Sequence, residues 1–366
     1  MSRRVSDTAV RESSGTAGTD AERRAAHALA ADLRAGGREV RVQTLWVRTA
    51  WWAPQALAVA LGVVASVVAV GDPMPAVVLA AVALLVSLAD LSALTPIRRC
   101  TPARATQNVV SAPEHVPPGA ITLIVTAAVD RARSGLTRRF PGGVLRWSLS
   151  ALALVLACCV VRAAGIEDAW VGAVQLLPTL VLLACLLAFL DEAVADPLED
   201  DRGAVQVALE LTAELDAAPP AHLAVAVVLA GAGGAQAAGL RAWLRGRRAR
   251  GLAPTDVALV HLEPVRDSEP GWWARDGIVV TSALHPQLVR AARAAADAEP
   301  ELEATVRRRP RGTAAAVARA GGWPAIAVAI GDPQAGARFA HALVRALDAE
   351  LDDAPPGEAV QSTDTA

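Results

Sequence analysis

The chain contains no lysine and no tyrosine, so arginine supplies every strongly basic side chain. Basic and acidic residues nearly cancel, 35 against 37, and the formal net charge is -2. A nucleic-acid-binding protein needs a basic surface that replaces the counterions on the phosphates. The charge balance therefore excludes nucleic acid as an expected partner.

Cysteine is scarce as well, and its four copies form no metal-binding pattern. No pair has CxxC spacing, and three of the four lie inside apolar runs. The four are Cys100, Cys158, Cys159 and Cys185. Neither a zinc knuckle nor a disulfide framework is indicated. Because free cysteine packs as a small hydrophobic side chain, we interpret these thiols as packing residues.

Apolar residues are abundant, at 53% of the chain with a mean hydropathy of +0.35, which is high for a soluble protein. Four long apolar runs lie at 52–70, 74–94, 148–166 and 170–190. A helix of about 20 residues crosses a bilayer core ~30 Å thick. The runs therefore predict four transmembrane helices, with the lipid bilayer as a partner.

The four runs form two hairpins, at 51–95 and 147–191, each closed by a short polar turn. Arginines cluster at the open ends of the hairpins, before the first span, between the hairpins and before the third span. By the positive-inside rule, both termini and the soluble part are predicted to be cytoplasmic. The charged residues of the spans, Asp90, Arg162 and Asp191, lie near span ends and are expected to reach water, so no transport pathway is indicated.

The polar segments alternate between strand and helix patterns. Predicted tails cover 1–20 and 352–366, and the pieces between them are 21–48, 100–135 and 196–351. Apolar strands are predicted at 120–129, 222–231, 256–263, 277–283 and 322–330. Alternating apolar strands and helices predict an α/β fold, with a mostly parallel sheet covered by helices on both faces. Each hairpin returns the chain to the same side, so the three pieces can form one domain.

The stretch GAGGAQ (231–236) joins a predicted strand to a helix, at the edge of the sheet where α/β proteins bind ligands. A dinucleotide fingerprint has a third glycine at the position that Gln236 occupies here. It also has an acidic residue at the end of the next strand, and Glu263 lies too far along the chain for that role. A Walker loop needs a lysine. The turn from Gly231 to Gly234 is therefore a weak candidate for dinucleotide binding.

Taken in order, several segments resemble the zinc-dependent aminopeptidases of metallopeptidase family 28. RATQNVVSAP (104–113) is similar to the family's TQNV strand, and TAAVDRARSG (126–135) takes the place of its AHYDS-like motif. EDDRGAVQVALEL (199–211) matches an NDDGSGVAALLEL-like segment without a gap. LAGAGGAQAAGLRAWL (229–244) takes the place of the family's GAEEEGLLGSRAWL segment, and VHLEPV (260–265) takes the place of its NLDMVG segment. The resemblance implies an α/β fold with two zinc ions at the carboxyl edge of the sheet, to which the two hairpins are additions.

The resemblance also implies where the metal site would be. The first histidine of the family corresponds to Ala128, and the catalytic glutamate and its neighbouring ligand correspond to Gly233 and Gly234. Two positions keep an acid: Asp200 in place of the bridging aspartate and Glu263 in place of the next ligand. Because zinc needs imidazole, carboxylate or thiolate donors, these replacements predict that the metal site and the general base are lost.

The resemblance therefore implies a zinc-aminopeptidase-like pseudoenzyme that needs no cofactor and acts by binding or as a scaffold. Its partner would be a protein or peptide in the vacated cleft. The alternative is an active membrane-bound zinc aminopeptidase with displaced ligands. Asp130 would be a remnant that once oriented the missing histidine and now has nothing to orient.

A few further residues have two interpretations each. Asp200 suits the N-cap of a helix at 201–215 as well as a remnant metal position. His261 is expected to point away from Glu263 and to pack against a helix, the alternative being a metal ligand. Trp272 and Trp273 lie on a predicted loop, where they either contact a partner or headgroups or pack within the loop. The arginine run at 244–251 is either a solvated helix end or a contact with the anionic leaflet.

Overall fold

The computed structural model describes residues 15–91, 97–114, 116–117, 119–140, 142–166, 168–197 and 203–352. The chain divides into two compact units. The first, the sheet unit, consists of residues 1–49, 104–132 and 197–366, and the second, the helical unit, of 50–103 and 133–196. Asp200 and most of the two predicted tails lie outside the described residues.

An eight-stranded mixed sheet forms the centre of the sheet unit, in the order β1-β2-β4-β3-β5-β10-β6-β9. The central strands β4, β3, β5 and β10 are parallel, and β1, β2 and β6 pair in antiparallel fashion. A separate hairpin consists of β7 and β8. The strands are β1 (Val40–Val47), β2 (Arg104–Ser111), β3 (Ile121–Ala128), β4 (Leu223–Ala230), β5 (Val257–Pro264), β6 (Gly271–Trp272), β7 (Arg275–Asp276), β8 (Ser282–Ala283), β9 (Thr305–Val306) and β10 (Ala325–Ile330).

Strands β4 and β10 are buried along their whole length, as expected where both faces of a sheet are covered. Helices pack against the central strands and fill the core with alanine, valine and leucine. The helices of this unit are α1 (Asp20–Ala35), α6 (Gly203–Ala217), α7 (Ala238–Arg248), α8 (Pro286–Ala298), α9 (Ala314–Ala320) and α10 (Pro333–Asp352). The predicted α/β fold with its mostly parallel sheet is confirmed.

The strand predicted at 277–283 is not a sheet strand. Only its last two residues are extended, and they pair with Arg275–Asp276 outside the main sheet. Gly277 has φ +150°, which breaks the strand at its start, and Val280 is 80% exposed. The strand predicted here from apolar composition alone is therefore wrong, and most of the segment is the loop of a small hairpin.

One buried ion pair joins the strands to helix α6. The guanidinium of Arg38 donates Nε to Asp216 Oδ2 at 2.7 Å and Nη2 to Asp216 Oδ1 at 2.5 Å. Its Nη1 also donates to the carbonyl of Val225 at 3.1 Å. Because the arginine side chain is only 2% exposed, loss of either charge would leave the other without compensation.

The helical unit contains α2 (Trp52–Val68), α3 (Pro73–Leu91), α4 (Gly143–Ala163) and α5 (Ala169–Val194), with one further helical turn at Leu136–Arg139. Helices α3, α4 and α5 are long and apolar enough to cross a membrane. The first predicted span forms a helix of 17 residues, which is shorter than those three. Three of the four predicted spans are thus supported by length and composition.

Close packing and buried polar contacts hold these helices together. A side chain at Gly62 would meet Leu182 Cδ1 at 3.0 Å, so the missing side chain permits the close approach of α2 to its neighbours. Asp90 was expected to reach water, but it is buried and accepts Arg98 Nη2 at 2.8 Å. Gln55 Nε2 also donates to it at 3.2 Å. The charge is therefore paired inside the unit.

Candidate functional site at the carboxyl edge of the sheet

The glycine-rich turn follows β4 and precedes α7, as the sequence predicts. Strand β3 lies beside β4 in parallel register, with Ala128 opposite Ala230. The residues that follow both strands therefore meet at one edge of the sheet. A side chain on Gly233 would overlap the methyl group of Ala128, so these two positions are in direct contact.

The close approach of its neighbours explains two glycines of this region. A Cβ on Gly231 would overlap Thr106 Oγ1 and Glu22 Oε1, and one on Gly239 would overlap the carbonyl of Gly231. The side chain of Asn108 joins the two ends of the turn. Its Oδ1 accepts from Gly231 N at 2.9 Å, and its Nδ2 donates to Gly239 O at 3.1 Å.

Asp130 has a different role from the one predicted for it. Its carboxylate accepts the backbone N–H of Gly233 and, at 3.0 Å, that of Gly234. Burial is the main cause that raises the pKa of Asp130 to about 7, and the nearby Glu22 carboxylate adds to it, although the two amides act in the opposite direction. The expectation that Asp130 has nothing to orient is therefore wrong, because its carboxylate holds the glycine-rich turn that follows β4.

A second buried carboxylate, Glu22 on α1, holds the same turn from the opposite side. It is fully buried and accepts from Thr106 Oγ1 at 2.5 Å, Gly18 N at 2.5 Å and Ala232 N at 2.9 Å. Burial raises the pKa of Glu22 in spite of these hydrogen bonds. Sequence reasoning missed this residue. The signal was a capping box, since Thr19 is the N-cap of α1 and Glu22 follows it by three residues.

The turn itself is strained. Three of its residues other than glycine have left-handed backbone conformations, with φ of 51° at Ala232, 58° at Gln236 and 51° at Ala237. Such residues cost on the order of 1–3 kcal/mol each and persist where the surroundings impose them. Here the surroundings include the carboxylates of Glu22 and Asp130.

The hydrogen bonds of the turn argue against a phosphate loop. A loop of that kind binds anions with backbone N–H groups that point outward. The N–H groups of Gly231, Ala232, Gly233 and Gly234 all donate to side chains of this chain. None of these four is left for a dinucleotide.

Glu263 lies near the end of β5, which pairs with β3. Thr126 is opposite His261 in that pair, so the register brings Glu263 beside Ala128 at the same edge. The interpretation of His261 as pointing away from Glu263 is wrong, because residues two apart in a strand share a face. His261 Nε2 lies 3.1 Å from Glu263 Oε2.

Three positions that the resemblance assigns to the dizinc site have no side-chain donor that a zinc ion could use. Ala128 offers a methyl group, Gly233 and Gly234 have no side chain, and both oxygens of Asp130 accept amides of the turn. Within the described ranges, no group of three or more histidine, cysteine, aspartate or glutamate residues could hold a metal ion. Asp200, the other predicted remnant, lies outside these ranges.

Trp272 and Trp273 are core residues, which contradicts their interpretation as exposed contacts. They are 4% and 2% exposed. Trp272 stacks on Phe339 with ring centroids 5.8 Å apart, and Trp273 Nε1 donates to the carbonyl of Arg309 at 2.9 Å. Of the two alternatives left open for these indoles, packing is the one observed.

The arginine run at the end of α7 packs on tryptophan rings. The guanidinium of Arg247 lies 5.7 Å from the ring centroid of Trp243, and that of Arg248 lies 5.0 Å from that of Trp323. At these distances a guanidinium is attracted by the face of an indole. Two arginines of the run therefore have partners within the sheet unit.

Solved structures provide the comparison for this fold, since no protein-family model and no curated protein matches the sequence. A glutaminyl cyclase from Porphyromonas gingivalis is 12% identical with a TM-score of 0.50, over 94% of this chain and 95% of that one. A glutaminyl cyclase from Fimbriiglobus ruber is also 12% identical with a TM-score of 0.50, over 93% and 91%. A leucine aminopeptidase precursor from Bacteroides thetaiotaomicron is 10% identical with a TM-score of 0.50, over 93% of each chain.

These solved structures support the fold that the resemblance in the sequence implies. The two glutaminyl cyclases and the leucine aminopeptidase precursor share the α/β architecture found in this chain. At 10–12% identity, the similarity extends to the fold alone.

Proposed function

We propose that this chain is a membrane-embedded protein whose sheet unit keeps a zinc-aminopeptidase-like fold, has lost peptidase activity and acts by binding a protein or peptide. The observation that carries the proposal is the pairing of Asp130 with the backbone amides of Gly233 and Gly234. In the family that the sequence resembles, these two positions hold the catalytic base and a metal ligand. In this chain they form part of a turn whose backbone N–H groups donate to side chains of the same chain.

The chemistry of amide hydrolysis supports the loss of activity. A zinc peptidase needs a metal-bound water and a base that removes its proton. Even the loss of a residue that only orients a ligand commonly costs about 10–100-fold in metal affinity or activity. Here the corresponding positions Ala128, Gly233 and Gly234 lack donor atoms altogether.

The surface of the helical unit supports membrane insertion. Large apolar side chains are exposed along all four helices, among them Val64 on α2, Leu85 on α3, Leu154 on α4 and Leu187 on α5. A soluble protein rarely exposes contiguous apolar surface of this extent. The bilayer is the solvent that suits such a surface.

We further propose that α2 is a fourth span and that the sheet unit is cytoplasmic. At 1.5 Å per residue, the 17 residues of α2 extend about 25 Å, near the lower limit for crossing the hydrocarbon core. Trp51 precedes this helix, at a position that suits the headgroup region. Arginines at the open ends of both hairpins favour the cytoplasmic side for the sheet unit.

The enzymatic part is tested on purified full-length protein. Zinc per chain is measured by elemental analysis after incubation with excess zinc and desalting, and hydrolysis of aminoacyl amides is followed in parallel. We expect substoichiometric zinc and no turnover above buffer. Stoichiometric zinc together with turnover that a chelator abolishes would establish the alternative, an active zinc aminopeptidase.

The binding part is tested by site-specific photo-crosslinking in cells. A photoreactive residue replaces Ala132, whose Cα lies 3.3 Å from the Cβ position of Gly234, and in a matched control it replaces the exposed Ala218. We expect a defined adduct from position 132 and none from position 218. Equal labelling at the two positions, or none at 132, would remove the support for a partner in the cleft.

A further inference from the structure

A small hairpin of the sheet unit presents an apolar tip to solvent. Strand β7 pairs with β8, and the five residues between them contain the sequence IVV at 278–280. Val280 is 80% exposed at this tip. Arg275 lies beside it, since its Nη2 donates to the carbonyl of Thr281 at 3.3 Å. The tip thus combines an apolar side chain with an adjacent cation.

A second segment, RRRPRGT at 307–313, is fixed against this hairpin by its backbone. Arg307 N donates to the carbonyl of Trp272 at 2.7 Å, and Trp273 Nε1 donates to the carbonyl of Arg309. The buried carboxylate of Asp276 accepts three successive backbone N–H groups of the segment, at residues 311, 312 and 313, over 2.8–2.9 Å. The segment and the hairpin therefore form one ordered surface.

This surface carries cations with no acidic counterpart. Arg275, Arg308 and Arg309 are exposed, and within the described ranges none of the three has a carboxylate partner. Arg307 differs, because it pairs with Asp267 at 2.7 Å. We call the hairpin and the segment 307–313 together the arginine surface. The three guanidinium groups that have no carboxylate partner among the described residues belong to the same ordered surface as the exposed Val280.

We infer that the arginine surface binds the anionic headgroups of a lipid bilayer, with Val280 entering the interface between headgroups and acyl chains. Arginine recognises phosphate through its planar, multidentate donors. Each basic residue near an anionic lipid surface is attracted to it by about 1 kcal/mol, and buried apolar area adds to that attraction. A stable protein partner would cover about 800 Å² on each side, whereas headgroup binding needs only the cations and one apolar side chain.

The inference rests on the proposed membrane embedding and goes beyond it. The helices of the helical unit keep the sheet unit close to a bilayer, so even weak headgroup contacts act at a high effective concentration. Docking would fix one orientation of the sheet unit on the membrane. Lipid charge would thereby control how accessible the rest of that unit is.

The test uses the full chain in nanodiscs of phosphatidylcholine alone or with added phosphatidylglycerol. An environment-sensitive fluorophore is attached at V280C in a C100S background, because Cys100 is the exposed native thiol and the other three are buried. We expect a blue shift of the emission with phosphatidylglycerol that high salt reverses, since salt screens charges at a surface.

Charge reversal at Arg308 and Arg309 together should lower the ratio of docked to undocked protein by about 25-fold, at about fivefold per arginine. The matched control is Arg293→Glu on α8, which changes an exposed arginine elsewhere in the sheet unit. We expect this control to behave as the parent does.

Three outcomes would overturn the inference. The first is equal emission in the two lipids with normal incorporation into nanodiscs, which refutes the headgroup contact but leaves the membrane embedding intact. The second is a blue shift in detergent that grows with protein concentration, which identifies a second copy of the chain as the occupant. The third is failure of the chain to enter nanodiscs at all, which refutes the embedding itself.

Discussion

Replacement of Asp130 with asparagine removes a charge from the centre of the candidate site at almost unchanged volume. The aspartate has an ordinary pKa of 3.8, and burial and the Glu22 carboxylate raise it to about 7 in the folded protein. Below pH ~4 both the folded and the unfolded chain hold the proton, and above pH ~7 neither does. The raised pKa therefore contributes to the free energy of unfolding in full below pH ~4, and this contribution is lost as the pH rises to ~7.

The size of this loss follows from the two pKa values. It amounts to about 4 kcal/mol between pH ~4 and pH ~7, and it stays constant above that. Asparagine has no such titration, but its amide oxygen can accept only one of the two N–H groups, and the hydrogen bond to Gly233 or Gly234 that is lost costs about 1–3 kcal/mol. We expect Asp130→Asn to be less stable than the parent at pH 4 and more stable at pH 8.

Thermal unfolding of the full chain in nanodiscs, followed by tryptophan fluorescence, measures this inversion. For a domain of this size, 1 kcal/mol corresponds to about 2–4 °C in Tm. Asp256→Asn is the matched control, because this exposed aspartate is hydrogen-bonded only locally, to Thr255. Parallel pH profiles of Asp130→Asn and the parent would refute the reasoning, since the buried charge would then have no energetic consequence.

Three further substitutions have expected outcomes that unfolding experiments can check. Gly231→Ala should destabilise the sheet unit by about 1–3 kcal/mol because its methyl group has no space, whereas Gly71→Ala, with nothing within 4 Å, should be neutral. Arg38→Ala should cost about 3–5 kcal/mol by leaving Asp216 charged and uncompensated, and an Arg38→Ala protein as stable as the parent would contradict this. Trp272→Ala should cost about 3–5 kcal/mol as a core truncation, and a loss below 1 kcal/mol would indicate that the indole is not packed as observed.

The main strands and helices of the sheet unit could be predicted from the sequence because they are long and strongly patterned. Strands β3, β4, β5 and β10 are six to eight residues long and mostly apolar, and they follow one another with helices between them. The short strands β6 and β9 were missed. Each has only two residues, too few to show a hydrophobic alternation, and each is a strand only because it pairs with the sheet.

The sequence led to one contact of the candidate site but not to the hydrogen bonds that hold it. The resemblance placed Ala128 and Gly233 at one edge of the sheet, and the two residues are in contact there. The partner of Asp130 could not be predicted, because it is the backbone of a turn whose conformation the sequence does not specify. Glu22 was missed for a related reason. Its capping-box spacing is local, whereas its contacts with Thr106 and Ala232 depend on the tertiary fold.

The order of the strands has a consequence for how the protein is made on the ribosome. Both sheet neighbours of β3, the strands β4 and β5, come after the second helical hairpin in the chain. At ~5–20 residues per second, β3 waits roughly 5–20 s for its first partner to be synthesised. During that time β3, which is mostly apolar, has no sheet partner on the nascent chain while the two helices of the second hairpin are synthesised. Until β4 is synthesised, β3 therefore remains open to non-native association, and slower synthesis of the chain between the two strands prolongs this exposure.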